Sequence, residues 1–310
     1  MLEEKRIYKA YRKRGTRRKD YDTKLRDRDK DFHLILYENR VMTKAQFEQY
    51  FDLHSTSVKR RLTNLYDAGY FERKMRPTLA GLGEYYYLLD KRGAEVVQNL
   101  LGVPVKFYPS SKELSAQAVD HAIGVGWARL LFTKACRLHG YELEWIPETR
   151  FRSKTWGYDK VELDGQPVGV IPDGAFYIRR NGKVSFFCLE YDRGNHQLHT
   201  FRDKLRCYLF YMRSQAFLDR FDFSQENMSL RVLTIVDTGD MTERTGQLRL
   251  KNLIEKVDDP KVKGLRPARR FWFARMQDLA PETVLNSSCW NVRPGEPPSI
   301  LLEEFDPQTD

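Results

Sequence analysis

Residues 170–208 constrain the chain most. They read Val-Ile-Pro-Asp-Gly-Ala-Phe-Tyr-Ile, then Val-Ser-Phe-Phe-Cys-Leu-Glu-Tyr-Asp-Arg-Gly, then a run of helical character carrying Lys204. The first two runs are apolar enough for buried strands, over 169–179 and 183–191, and Asn181-Gly182 between them is a hairpin turn signal. A hairpin places Asp173 and Glu190 on neighbouring strands about 5 Å apart, close enough to share a cation. Paired acids of this kind need one, and a divalent metal is the usual choice. Side chains alternate along a strand, so Asp192 points the same way as Glu190 and is a candidate third acid. The alternative is that these carboxylates pair with Arg193, Arg202 or Arg206, within ordinary Asp-Gly and Arg-Gly turns.

The surrounding pattern is α/β. A long amphipathic helix is expected over 116–138, with Val119, Ile123, Trp127, Leu130 and Leu131 at helical spacing and His121 among them. A histidine there is either a core residue or a neighbour of the site. A strand follows over 141–151, then a polar hairpin or loop containing Trp156. After the two acidic strands come a helix over 197–217, a strand over 229–236, a helix over 242–257 and a last strand over 271–275. That order builds layers around a mixed sheet. Asn195, His196 and Gln197 open the helix behind the acids and are candidate phosphate contacts at its N-terminus.

The N-terminal third has a different rhythm. Residues 32–37 read as a buried helix. Thr43-Lys-Ala-Gln46 has the form of a capping box opening a second helix. Ser55 or Thr56 caps a third, with Val58, Leu62 and Leu65 on one face and Gly69 just past its end. Two strands, 70–75 and 84–89, flank a turn over 77–83, and Asp90 caps a closing helix over 93–101. Three helices and a two-stranded wing resemble a winged helix-turn-helix, whose third helix fits the major groove. Ser57, Lys59, Arg60, Arg61 and Asn64 would then face DNA, with Arg73, Lys74 and Arg76 of the wing near the backbone. The alternative is a winged helix used for protein contact, with these charges simply solvated.

Charge sharpens the choice of partner. The 310 residues carry a net charge of +10, and residues 1–30 alone hold 13 Lys/Arg against 6 Asp/Glu. Such asymmetry points to a polyanion, duplex DNA first, with Arg12, Lys13 and Arg14 following phosphates or entering a minor groove. A solvated tail is the alternative. A second basic cluster (Lys261, Lys263, Arg266, Arg269, Arg270) either extends a DNA track or is an exposed loop. The four cysteines form no Cys-x-x-Cys pair, and Cys188 and Cys207 lie among apolar residues, as expected of a reduced cytoplasmic protein without structural zinc. No apolar run is long enough for a membrane span, and the basic N-terminus has no signal-peptide core.

The expected fold class is therefore α+β. A flexible basic arm (1–31) precedes a winged helix-turn-helix domain (32–101) and a linker (102–115). An α/β domain with a central mixed sheet (116–290) and a loose, acidic, proline-rich tail (291–310) complete the chain. Pro172-Asp173, an apolar strand, and Glu190 at the end of the next strand resemble the PD-(D/E)xK nuclease core. More narrowly, Pro172-Asp173-Gly174, Glu190-Tyr191-Asp192-Arg193-Gly194 and Lys204-Leu-Arg-Cys-Tyr208, behind a winged helix, resemble the replication-relaxation family of plasmid and mobile-element proteins. That resemblance covers about residues 32–237.

It implies a nicking or initiation role on circular DNA. Asp173 and Glu190 would hold Mg²⁺ or Mn²⁺, and Lys204 would supply the charge that the nuclease pattern places two residues after the glutamate, where this chain has Asp192. Lys204 and Tyr208 together are similar to the Gln-x-x-x-Tyr element of the exonuclease branch. A tyrosine relaxase normally uses a histidine cluster, and His196 and His199 have no third partner in the sequence. A non-catalytic initiator, or a repressor whose C-terminal domain dimerises, stays open beside the nuclease.

Overall fold

The computed structural model describes residues 17–18, 20–78, 81–105, 114–180, 182–194, 197–221, 230–239, 242–267 and 269–302. Arg12, Lys13, Arg14, Asn181, Asn195 and His196 lie outside the described residues, as does the centre of the turn expected over 77–83. The chain divides into two compact units, residues 1–116 and 117–310. The whole is mixed α+β, as expected.

The first unit contains α1 (Asp27–Asn39), β1 (Met42–Thr43), α2 (Lys44–Phe51), α3 (Ser55–Asp67), β2 (Phe71–Thr78), β3 (Gly81–Leu89) and α4 (Lys91–Leu101). The strands form an antiparallel sheet in the order β1-β3-β2. The capping box at α2 forms: Gln46 N donates to Thr43 Oγ1 at 3.3 Å, and Thr43 N donates to Gln46 Oε1 at 2.9 Å. The cap of α3 is His54, not Ser55 or Thr56, because its Nδ1 accepts from Thr56 N at 3.3 Å. Asp90 caps α4 by accepting from Lys91 N at 2.7 Å. The apolar stripes of the three helices meet at Phe32, Leu36, Phe47, Val58, Leu62 and Leu65, all 1% exposed or less.

The arm expected over 1–31 ends earlier than its composition suggests. Helix α1 begins at Asp27, where Arg26 N donates to Asp29 Oδ2 at 2.6 Å and two acids in the first turn complement the helix dipole. Arg17 bonds Phe71 O at 3.1 Å and Asp90 Oδ2 at 2.5 Å, and Arg18 pairs with the buried Asp67 at 3.2 Å. Arg17 and Arg18 are therefore tied to the unit by partners that lie far along the chain.

The second unit contains α5 (Ala116–His139), β4 (Glu142–Pro147), α6 (Glu148–Phe151), β5 (Lys160–Leu163), β6 (Gln166–Gly169), β7 (Gly174–Arg180) and β8 (Lys183–Asp192). Next come α7 (Leu198–Ser214), α8 (Ala216–Arg220), β9 (Leu230–Val236), α9 (Glu243–Glu255), α10 (Pro260–Lys263), β10 (Phe271–Arg275), β11 (Ser288–Trp290) and β12 (Ser299–Ile300). The central sheet is five-stranded and mixed, in the order β10-β9-β8-β7-β4. β4, β7 and β8 pair antiparallel, and β8, β9 and β10 pair parallel.

Alternation along the strands divides the core between the two faces. Phe186, Cys188, Val232 and Phe273 pack with Phe201, Leu205 and Tyr208 of α7. Phe187, Leu189, Leu233 and Trp272 pack with Ala128, Phe132 and Cys136 of α5 and with Trp290. Both faces being covered explains the nearly continuous apolar run of β8, in which each phenylalanine contributes about 1.5–3 kcal/mol by leaving water.

Three expectations change here. The strand foreseen over 141–151 stops at Pro147, and the chain turns into the short α6. The strand foreseen from 169 begins at Gly174, so Asp173 stands at its entrance; Gly169 instead ends a separate hairpin, β5-β6. The tail expected to be loose is ordered through residue 302. Ser299 and Ile300 pair with β11, and Leu301 and Leu302 are 0% and 6% exposed, which anchors the segment by apolar burial.

Candidate functional site: a paired carboxylate centre

The first strand pairing of β7 and β8 is Gly174 with Leu189, so Asp173 and Glu190 arrive side by side at the sheet end. Asp173 N donates to Leu189 O at 3.0 Å, and Tyr191 N donates to Asp173 Oδ2 at 2.8 Å, which locks the acid onto the neighbouring strand. Two glycines allow this approach. A Cβ on Gly174 would lie 2.5 Å from the Trp145 ring, and one on Gly124 of α5 would lie 2.2 Å from the Tyr191 ring. The Tyr191 hydroxyl donates to Asp237 on the segment after β9, so the residue between Glu190 and Asp192 faces α5 and is held at its tip.

Three side chains converge on the two acids. Lys204 of α7 donates to Glu190 Oε2, and the Tyr208 hydroxyl, one helical turn on, donates to Glu190 Oε1. His121 Nε2 lies 3.1 Å from Asp173 Oδ1. Glu190 is 5% exposed and Tyr208 2%, whereas two-fifths of the Lys204 side chain reaches solvent.

The two carboxyls titrate apart. Burial pushes Glu190 up to about 7; the Lys204 charge opposes this and the charge of Asp173 reinforces it. Burial also works against ionised Asp173, but Lys204, His121 and the Tyr191 amide outweigh it and hold the acid at about 2. Burial alone would lower Lys204, yet the charges of Glu190 and Asp173 raise it above the ordinary lysine value. His121 is likewise raised: burial is overcome by Asp173 and by the charges of Glu148 and Glu190.

The structure thus brings Asp173, Glu190, Lys204, Tyr208 and His121 together. It does not bring in Asp192. Although it shares the face of Glu190, Asp192 accepts from Arg249 Nε at 2.8 Å and Nη2 at 2.7 Å and from Gly194 N at 2.8 Å. Its pairing partner comes from α9, not from Arg193, Arg202 or Arg206, so the trio of acids is replaced by a pair and an ion-paired neighbour. Gln197 caps α7 without a side-chain bond, and His199 is exposed on that helix.

Sequence reading missed Glu148, whose charge acts on both His121 and Lys204. The strand expected over 141–151 places it in an interior; Pro147, which ends that strand opposite Gly174, is the signal that marks it. Arg249 and Asp237 were missed too, and nothing in their local sequence marks them.

Two carboxylates are hard oxygen donors of the kind Mg²⁺ and Mn²⁺ take, with water and phosphate oxygens completing the shell. Among the described residues no group of three or more His, Cys, Asp or Glu side chains is placed to hold a metal. Asp173 and Glu190 are the two neighbouring acids that could hold such an ion.

In the first unit, Ser57, Lys59 and Arg60 are exposed on α3, and Asn64 is half-buried. Arg61 is not available to DNA: it is 6% exposed, with Nε 2.7 Å from Asp29 Oδ1 and Nη1 3.0 Å from Thr23 Oγ1. Arg73 is sandwiched between Tyr66 and Tyr85, 4.4 and 4.5 Å from their ring centroids. Lys74 and Arg76 are half-exposed on β2. In the second basic cluster Arg269 pairs with Glu296 at 3.5 Å, so the cluster is not purely cationic. Cys136, Cys188 and Cys207 are free and buried.

A family model described as replication-relaxation matches residues 34–224, a span containing Asp173, Glu190, Lys204 and Tyr208. The chain belongs to the replication-relaxation family. No curated protein matches the chain. Among solved structures, this replication-relaxation chain is similar to the restriction endonuclease FokI bound to DNA, with a TM-score of 0.27 and 12% identity over 83% of this chain and 45% of that one. A second FokI structure gives a TM-score of 0.24 and 15% identity over 79% and 45%. The chain spans less than half the length of those enzymes. Among the described residues no helix is long and apolar enough to cross a membrane.

Proposed function

We propose that this replication-relaxation protein is a metal-dependent DNA endonuclease or nickase serving replication or mobilisation of a plasmid or mobile element. In this reading a winged helix-turn-helix in the first unit holds duplex DNA, and a PD-(D/E)xK-type site in the second unit cuts it. The observation that carries it is the bond from Lys204 to Glu190, beside Asp173. The side chain that must substitute for the displaced motif lysine is within reach of the acid pair.

A Mg²⁺ or Mn²⁺ bound by Asp173 and Glu190 would supply an activated water and a Lewis acid for the phosphate. The chain's own residues do the rest. Asp173, ionised well below neutrality, and Glu190, ionised as pH rises through about 7, provide the negative charge. Tyr208 fixes one Glu190 oxygen, and the half-exposed Lys204 ammonium faces solvent where a phosphate oxygen would carry developing charge. On α3, the exposed Ser57, Lys59 and Arg60 suit a major groove and its flanking phosphates.

The test is supercoiled plasmid incubated with Mg²⁺ or Mn²⁺. Conversion to open circle by the wild type, absent in Asp173→Ala and Glu190→Ala, supports the reading. Intact DNA binding with no conversion under any divalent ion overturns it. A second reading, a non-catalytic initiator or regulator retaining the fold as a DNA clamp, is favoured by one specific observation. All four carboxylate oxygens of Asp173 and Glu190 already contact His121, the Tyr191 amide, Lys204 or Tyr208.

A further inference from the structure

We propose that residues 150–160 form a phosphate-binding track that carries one backbone of the duplex past the paired acids. The inference rests on the nuclease reading of that site and specifies which surface beside it meets the substrate.

The placement follows from the strand register. β4 ends at Pro147, opposite Gly174 and next to Asp173, so the chain leaves the sheet at the site and runs directly into this segment. Glu148 stands two residues before it and pairs with Arg152 at 2.5 Å. Beyond that pair, Arg150, Lys154 and Lys160 are all exposed, and Tyr158 is 41% exposed between the last two. The acid of the segment, Asp159, is occupied: Arg220 binds both its oxygens at 2.5 and 2.6 Å, and the Tyr211 hydroxyl donates to it at 2.7 Å. The charge offered to solvent is therefore positive, although the local composition is mixed.

The segment is also held in place. Phe151 is 3% exposed and its ring meets Trp156 at 4.9 Å, and Trp156 in turn meets Phe221 at 5.5 Å. Arg220 lies over Trp156 at 4.9 Å and donates to the carbonyls of Trp156 and Gly157, both at 3.2 Å. Cationic side chains on a fixed backing, spaced along a chain that starts at the acid pair, match a polyanion with regularly repeating charge. A fixed backing also lowers the ordering cost of binding.

The experiment measures binding of the full chain to a long linear duplex in EDTA across a salt series. Cleavage is not read, so a protein that never nicks still answers. Neutralising three phosphate contacts in Arg150→Gln/Lys154→Gln/Lys160→Gln should flatten the slope of log K against log salt by about 2.7. Lys183→Gln/Arg244→Gln/Lys251→Gln, exposed positions with the same loss of charge, should leave it near the wild-type value. Arg150 also lies 5.4 Å from the Trp156 ring centroid; should its loss there lower the melting temperature, Lys154→Gln/Lys160→Gln alone should flatten the slope by about 1.8. Unchanged slopes in both track variants, or an equal fall in the control, overturn the track.

Discussion

Each unit sets a cation against a buried carboxylate, and the two pairs are built differently. In the first, Arg61 and Asp29 are 7% and 1% exposed; Arg61 also donates to Thr23 and to Lys24 O at 3.0 Å each. The pair is bidentate, saturated and closed to solvent. In the second, Lys204 is 40% exposed over a Glu190 that is 6% exposed, and the glutamate is displaced toward neutrality by burial. A lysine is a point charge on a flexible stem, so it can leave its partner without losing a fixed geometry. The closed pair can only hold structure, while the open one keeps a charge that a ligand can use. Asp192 with Arg249 belongs to the closed kind, though it lies two residues from Glu190 on the same strand.

That contrast can be broken by substitution. Arg61→Met strands a buried carboxylate and should destabilise the first unit by about 3–5 kcal/mol in chemical denaturation. A change below 1 kcal/mol, with DNA affinity lost instead, would move Arg61 back to the recognition surface. Lys204→Met should cost less stability, because Glu190, already close to neutrality, can take up a proton in place of the lost charge, while nicking falls by about 10²–10³-fold. Equal losses of stability and rate would make Lys204 a structural residue. For Asp192→Ala, losing the two contacts to Arg249 should cost the second unit about 3 kcal/mol, and nicking should fall only in step with the folded fraction. A well-folded Asp192→Ala protein that cannot nick would restore the third acid.

Two smaller effects sharpen the comparison. Lys59→Ala/Arg60→Ala should flatten the salt dependence of duplex binding by about 1.8 while leaving stability unchanged. If the slope does not move, α3 does not meet phosphates. His33 is fully buried in α1 with no partner for Nε2 among the described residues, and burial lowers it from its ordinary value of 6.5. The fold therefore prefers neutral imidazole: its stability is complete above pH 6.5 and declines as pH falls below it, by about 1.4 kcal/mol for each pH unit until the folded group titrates. The melting temperature of the first unit should follow that course in the wild type and be flatter in His33→Leu.

What could be read from the chain followed from local rules. The capping box at Thr43 and Gln46, the apolar stripe of α3, and the hairpin that aligns Asp173 with Glu190 all depend on residues within a few positions or one turn. The mixed sheet followed from the order of elements, and the motif set resembling the replication-relaxation family was borne out by the family match. Boundaries were less legible: Pro147 ended a strand that the apolar pattern would have continued, and Asp173 stood just outside β7.

The tertiary structure decided which charges are free. Asp192 and Glu190 share a face, and only the arrival of Arg249, 57 residues on, and Lys204, 14 residues on, separates their roles. Arg61 lies beside Lys59 and Arg60 in sequence, yet an aspartate 32 residues away draws it inward. His121 could be assigned to neither core nor site until α5 packed against the sheet. Period and composition determine where a side chain points; its partner depends on which distant segment the fold delivers, because electrostatic pairing acts through space at contact distance rather than along the chain.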